Sequence, residues 1–164
     1  MPEALTVDDR IAIKDLFARY AWALDTGDPD ALADTFTPDG VIVEEVFEEP
    51  DVWEGRDGVR RLGERFRDVP DFPGRQHHVG QILVEGDGER CSARSFAFVT
   101  ECRGEPPFLI RFAGHYEDEL VKLGGQWLFA ERIIRIWTGS VLARFPGHGE
   151  RRILRRPPQL VVER

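Results

Sequence analysis

Apolar residues recur at helical spacing near the start of the chain and change to alternation after Arg75, which divides it into a helical first part and a stranded second part. Thr6 precedes an acidic turn, Asp8 and Asp9, and so marks a helix N-terminus. Laid out at about 100° per residue, Ile13, Leu16, Phe17, Tyr20, Ala21 and Leu24 share one arc. That arc predicts a helix from after Thr6 to about Leu24 with this face turned inward, and Asp25 falls at its edge. A short second helix is predicted with Asp28 as N-cap and Pro29 in the first position, where a missing N–H costs nothing. Pro38, Asp39 and Gly40 read as a turn, VIVEEVF as a strand, and Asp57 as the cap of a third helix carrying Val59, Leu62 and Phe66 inward. The breaker run VPDFPG ends it.

From Arg75 onward the pattern is one of strands and hairpin turns. HHVGQILVE leads through GDG to ERCSARSFAFVTE, and FLIRFAGHYEDELVK leads through Gly124 and Gly125 to QWLFAERIIRIW. Three helices followed by a meander of long strands predict an α+β domain, with the helices packed on one face of a curved, mostly antiparallel sheet. Strand alternation also separates the adjacent histidines of GRQHHVGQ: His77 and His78 must face opposite sides, without parity saying which side is a pocket.

At 164 residues the chain fits one domain with a real core. No apolar run approaches the length of a membrane span, and MPEALTVDDR has neither a basic start nor an apolar stretch, so a cytoplasmic protein without membrane association is expected. Cys91 and Cys102 lack metal spacing and are expected as buried thiols. The net charge is −8, yet six Arg against two Glu from Arg144 onward make a local +4, so residues 1–143 carry −12. An acidic body argues against nucleic acid as a partner. The basic end, residues 144–164, reads as an extension serving as a tail or oligomer contact, set apart from a domain of residues 1–143. Glu44 with Glu45, and Glu117 with Glu119, read as solvated acidic faces. No three-ligand spacing and no glycine-rich loop between strand and helix appears, so neither metal nor cofactor is expected.

Four strings resemble the SnoaL-like branch of the nuclear transport factor 2-like superfamily: RYAWALDTGDPDALADTFTPDG at 19–40, WEGRDGV at 53–59, RQHHVGQILVEGDG at 75–88 and GHYEDELVKLGGQWLFAER at 114–132. The resemblance implies a cone-shaped α+β barrel, a strongly bent sheet against three helices, with a pocket open at one end. It also implies homodimers or homotrimers assembled through the open sheet face. In scytalone dehydratase, bile-acid 7α-dehydratase and hexachlorocyclohexane dehydrochlorinase, an Asp after the first helix and a His opening a central strand form a dyad. Asp25 and His77 match those positions, and Tyr20 matches a tyrosine that bile-acid dehydratase carries five residues before its Asp. His115, on the strand that bears a second histidine in scytalone dehydratase, together with Trp53, Phe98 and Phe129, is expected to line the substrate pocket.

These residue types suit proton transfer. A neutral imidazole can take a proton near neutral pH, and a carboxylate on its other nitrogen fixes the tautomer and stabilises the imidazolium. His77 as base, Asp25 as its orienter and Tyr20 as a donor to a developing oxyanion or departing hydroxyl would make a cofactor-independent lyase or isomerase. Its substrate would be a small apolar hydroxylated or carbonyl compound of polyketide, aromatic or steroid type. Residues five apart lie roughly 140° apart on a helix, so Tyr20 and Asp25 reach one cavity only if the helix ends near Leu24. The alternatives are a non-catalytic small-molecule-binding or assembly domain of the same fold, or an accessory subunit resembling the small chain of ring-hydroxylating dioxygenases.

Overall fold

The structure is a computed structural model that describes residues 3–70, 74–102 and 109–137. The expected basic extension, residues 144–164, lies outside the described residues, as does the boundary at 143. Three helices, α1 (Val7–Thr26), α2 (Pro29–Ala33) and α3 (Gly55–Asp68), accompany six strands: β1 (Phe36–Glu45), β2 (Asp51–Glu54), β3 (Arg75–Gly86), β4 (Arg90–Glu101), β5 (Leu109–Leu123) and β6 (Gln126–Ile136). The sheet order is β2-β1-β6-β5-β4-β3. Every neighbouring pair is antiparallel except β1 with β6. This is the expected α+β architecture, with one qualification: the sheet is open, β2 and β3 forming its edges, and does not close into a barrel.

The α1 helix begins as its sequence dictates. Thr6 and Asp9 form a reciprocal capping box, each side chain satisfying the other residue's backbone N–H. The helix passes the expected end at Leu24 and stops at Thr26, where Gly27 takes a left-handed conformation at φ 71. Only glycine adopts that conformation without cost. Its inward face carries Ile13, Leu16, Phe17, Tyr20, Ala23 and Leu24 into the core, with Ala23 in the place expected for Ala21. In α2, Asp28 caps Ala31 N at 2.9 Å and Pro29 occupies the first turn, as predicted.

Two boundaries differ from expectation. The Pro38–Asp39–Gly40 run forms an irregularity inside β1, between the paired residues Phe36 and Val41, and not a turn. Helix α3 starts at Gly55 directly from β2 and has no side-chain cap, so Asp57 lies in the first turn and favours the helix dipole there. Cys91 is buried and Cys102 exposed, and both are free thiols.

Two bulges decide which side chains face the helices. In β3 the pairing shifts between Gly80 and Leu83, with Gln81 at φ 49, so Val79 before the bulge and Ile82 and Val84 after it keep an inward orientation. In β6 a shift opposite Glu119 and Leu120 puts Trp127 and Phe129 inward before it and Arg132 and Ile134 inward after it. The core then forms around Tyr20, Phe36, Tyr116, Trp127 and Phe129, between α1 and the inner sheet face.

Candidate active site

Asp25 is carried on the last turn of α1, and His77 opens the edge strand β3. Fifty-two residues separate them in sequence, yet the carboxylate grips the histidine with both oxygens. Oδ2 accepts the His77 backbone N–H at 2.7 Å, and Oδ1 lies 2.5 Å from Nδ1. A carboxylate can only accept, so the proton of this contact sits on Nδ1 and the basic ring nitrogen is Nε2. The backbone bond fixes the carboxylate, and the fixed carboxylate sets the tautomer. The ring is further held by Phe66 of α3, with centroids 5.5 Å apart. The His77 side chain is 6% exposed and that of Asp25 18%, so water competes weakly for the contact.

Among the described residues, two clefts border the dyad. A narrow one of about 130 Å³ opens beside Asp25 and is bounded by Gly27, Phe66, Arg67 and Arg75. A larger one of about 610 Å³ runs between α1 and β3. Lys14, Phe17, Ala18, Ala21 and Trp22 form one wall, and His77, Val79, Gly80, Gln81 and Ile82 form the other. The wider cleft has the volume and the mostly apolar lining of a small-molecule site.

The remaining expected site residues lie elsewhere, for identifiable reasons. Tyr20 is 1% exposed and packs among Phe36, Tyr116 and Phe129. Because α1 continues through Asp25, the five-residue separation sends the two side chains in different directions, and Tyr20 borders neither cleft at the dyad. Burial pushes its phenol up to about 12, against the opposing charge of Arg132. Phe129 is fully buried against Phe17 and Phe36. Trp53 is in the core, donating Nε1–H to Glu44 at 2.9 Å beneath the Arg65 guanidinium.

Phe98 and His115 face the opposite side of the sheet. His78 pairs with Phe98 across β3 and β4, and Phe96 pairs with His115 across β4 and β5, so all four share the outer face. His78 stacks on Phe98 at 4.6 Å, and His115 Nδ1 accepts the Trp137 indole N–H at 2.9 Å. None of His115, Trp53, Phe98 and Phe129, expected to line the pocket, borders either of these clefts beside the dyad. The acidic pairs also need correction. Glu44 is tied to Trp53 and lies 3.7 Å from Arg65, Glu45 meets Arg135, and Glu117 lies 3.1 Å from His115 and 3.2 Å from Arg135. Of the four, Glu119 fits the solvated reading.

The sequence reading missed a buried ion pair. Arg132 donates Nε–H and Nη2–H to Asp118 at 2.7 and 3.1 Å, with both side chains fully buried. Its guanidinium lies 4.0 Å from the Tyr20 and Phe129 rings, 4.5 Å from Tyr116 and 4.9 Å from Phe17. Burial raises the Asp118 pKa against the pull of Arg132, and Asp118 in turn keeps the guanidinium charged despite burial. Nη1 has no partner among the described residues. Lys14, Trp22, Gly80 and Gln81 were missed as cleft residues too, although the odd Val79-to-Ile82 spacing signals a bulge. Among the described residues no group of three His, Cys, Asp or Glu side chains could hold a metal ion, and no helix is long and apolar enough to cross a membrane.

Comparison with known proteins agrees with this fold. No curated protein matches the chain. Among solved structures, the Mycobacterium tuberculosis protein Rv3472, of unknown function, is 27% identical, with 85% of this chain and 78% of that one aligned at a TM-score of 0.72. A candidate scytalone dehydratase from Novosphingobium aromaticivorans is 26% identical over 79% of this chain and 85% of its own, with a TM-score of 0.66. ActVI-ORFA from Streptomyces coelicolor, 18% identical over 78% and 96% of the two chains at a TM-score of 0.68, shares the fold. Residues 5–133 match the SnoaL-like domain, most of the chain including both members of the dyad, and the protein belongs to the SnoaL-like family of the nuclear transport factor 2-like fold.

Proposed function

We propose that the protein is a lyase or isomerase in which His77 Nε2 removes a proton from a carbon activated by a neighbouring carbonyl or leaving group. Asp25 holds the ring and stabilises the imidazolium, and the proton then returns to the departing hydroxyl or to a second carbon. Elimination of water or a double-bond shift follows from the same first step. The observation that carries this reading is the two-point grip of Asp25 on His77 N–H and Nδ1, at the end of a cleft of about 610 Å³. General-base catalysis by a placed histidine is worth about 10²- to 10⁴-fold. A compound found by thermal-shift screening of hydroxylated polyketide, aromatic and steroid ketones supplies the assay. His77→Ala should remove its turnover, and unchanged turnover would reject the reading.

The outer sheet face favours an assembly role alongside this one. Phe96 is 51% exposed, Phe98 43% and Ile110 68%, beside Trp137. A second copy of the chain covering this face would make a homodimer or homotrimer. Sedimentation of wild type against Phe98→Glu checks it, and equal masses at the monomer value would exclude it.

A further inference from the structure

The α1/β3 cleft has chemistry at both ends, and the proposed proton transfer uses only one. The two elements run antiparallel. Asp25 near the end of α1 meets His77 near the start of β3, while Ala4, ahead of α1, bridges to Asp87, beyond β3, and the Gly88 N–H donates to the Glu3 carbonyl at 2.7 Å. Lys14 therefore lies toward the end of the cleft remote from His77. Asp25 is eleven residues further along the same helix, about 16 Å of axis.

Between these ends the walls are cut back. Ala18 and Ala21 present only methyl groups, and Gly80 borders the cleft with backbone alone, its partner Phe96 lying on the outer face. Phe17, Val79 and Ile82 give an apolar floor, and Trp22, 70% exposed, offers a flat ring at the rim. Lys14 is exposed and pairs with no carboxylate among the described residues, although the chain carries a net charge of −8. An unpaired ammonium at the end of an apolar trough suits a ligand that brings its own negative charge.

We infer that the substrate is an elongated, largely apolar molecule with an anionic group, a carboxylate or a similar oxyanion, at the end remote from the reacting carbon. The apolar body lies over Ala18, Ala21 and Gly80 against Trp22, the anion meets Lys14 Nζ, and the reacting carbon reaches His77. This deepens the proposed function and rests on it only for the His77 end; the anion end stands on binding alone.

The test uses the full chain and two probes of one shape, 1-pyrenebutyrate and 1-pyrenebutanol, followed by fluorescence anisotropy. Wild type should bind the acid about three- to tenfold more tightly than the alcohol, the range of a partly exposed charge pair. Lys14→Gln should abolish that preference and leave the alcohol's affinity unchanged. Ala18→Leu should weaken both probes more than about tenfold while the Tm moves by less than about 2 °C, because Ala18 is exposed on the cleft wall and a longer side chain there fills the cleft without displacing a packed neighbour. Equal affinity for the two probes, a preference that survives Lys14→Gln, indifference to Ala18→Leu, or no binding of either probe would each overturn the inference. His77→Ala separates the two readings. Loss of turnover with no charge preference leaves the base and removes the substrate class, and a charge preference with unchanged turnover does the reverse.

Discussion

The Asp25 carboxylate bonds two groups of one residue, the backbone N–H and the Nδ1–H of His77, at 2.7 and 2.5 Å. Helix stability does not explain its position. The last turn of α1 has no basic residue, and a carboxylate there faces the negative end of the helix dipole, an unfavourable contact of about 0.3–1 kcal/mol. A residue that opposes its local structure in this way fits a site selected for chemistry.

Asp25→Asn follows directly. The amide oxygen can still accept the backbone N–H, but the amide nitrogen would then face Nδ1 as a donor, so Nδ1 becomes the acceptor and the proton moves to Nε2. The base is lost with little change of shape. Turnover should fall by roughly 10²- to 10⁴-fold. Long-range ¹H–¹⁵N spectra of the ring should change from the Nδ1–H to the Nε2–H tautomer, and an unchanged tautomer would refute the orienting role independently of any substrate.

The Arg132–Asp118 pair predicts a different asymmetry. Arg132→Ala leaves Asp118 buried without its partner and opens space among four rings, so urea unfolding should show a loss of about 3–5 kcal/mol. Replacing both, as Arg132→Met with Asp118→Leu, removes the charges together and should recover most of that loss. A double variant as unstable as the single one would mean that the rings, and not the ion pair, need the guanidinium.

Much of this arrangement can be read from the sequence, and the exceptions have physical causes. Capping at Thr6 and Asp28, the helical arc of α1, the hairpins and the opposite faces of His77 and His78 all follow from local rules. Asp25 and His77 carry a family spacing that local rules cannot supply, since the two lie 52 residues apart. The buried Arg132 eluded reading because it depends on a bulge. Strict alternation from Trp127 would place Arg132 outward, and the shift in β6 reverses it. The resemblance led to Phe98 and His115 being expected in the pocket, whereas unbroken β4–β5 register over that stretch keeps them beside His78 on the outer face. Trp53 and Phe129 were rightly inward but were assigned to a pocket where the fold builds core.

The two cysteines give a direct check on the packing. Cys91 is 3% exposed, and burial pushes its thiol up to about 12. Cys102 is exposed. At pH 8 an aromatic disulfide reagent should titrate one thiol rapidly in the native protein and the second only after unfolding. Cys102→Ser should remove the fast phase, and two fast thiols would contradict the core placement of Cys91.

Asp9 should govern acid stability. Its Oδ1 accepts the Lys122 ammonium at 2.7 Å and the Trp127 indole N–H at 2.9 Å, while Oδ2 accepts the Thr6 N–H and hydroxyl, so one carboxylate ties the start of α1 to the β5–β6 hairpin. The Lys122 bond, followed by those from Thr6 and Trp127, holds its pKa far below the usual carboxylate range. A depressed folded pKa means that the unfolded chain takes up the proton first as pH falls. The contribution is therefore present in full above the unfolded value of about 3.9 and is lost progressively below it. Asp9→Asn should be less stable than wild type at neutral pH, and their urea midpoints should converge between about pH 4 and pH 2. Midpoints that stay parallel across that interval would show that the carboxylate charge contributes nothing and that the indole and capping bonds alone hold the helix to the hairpin.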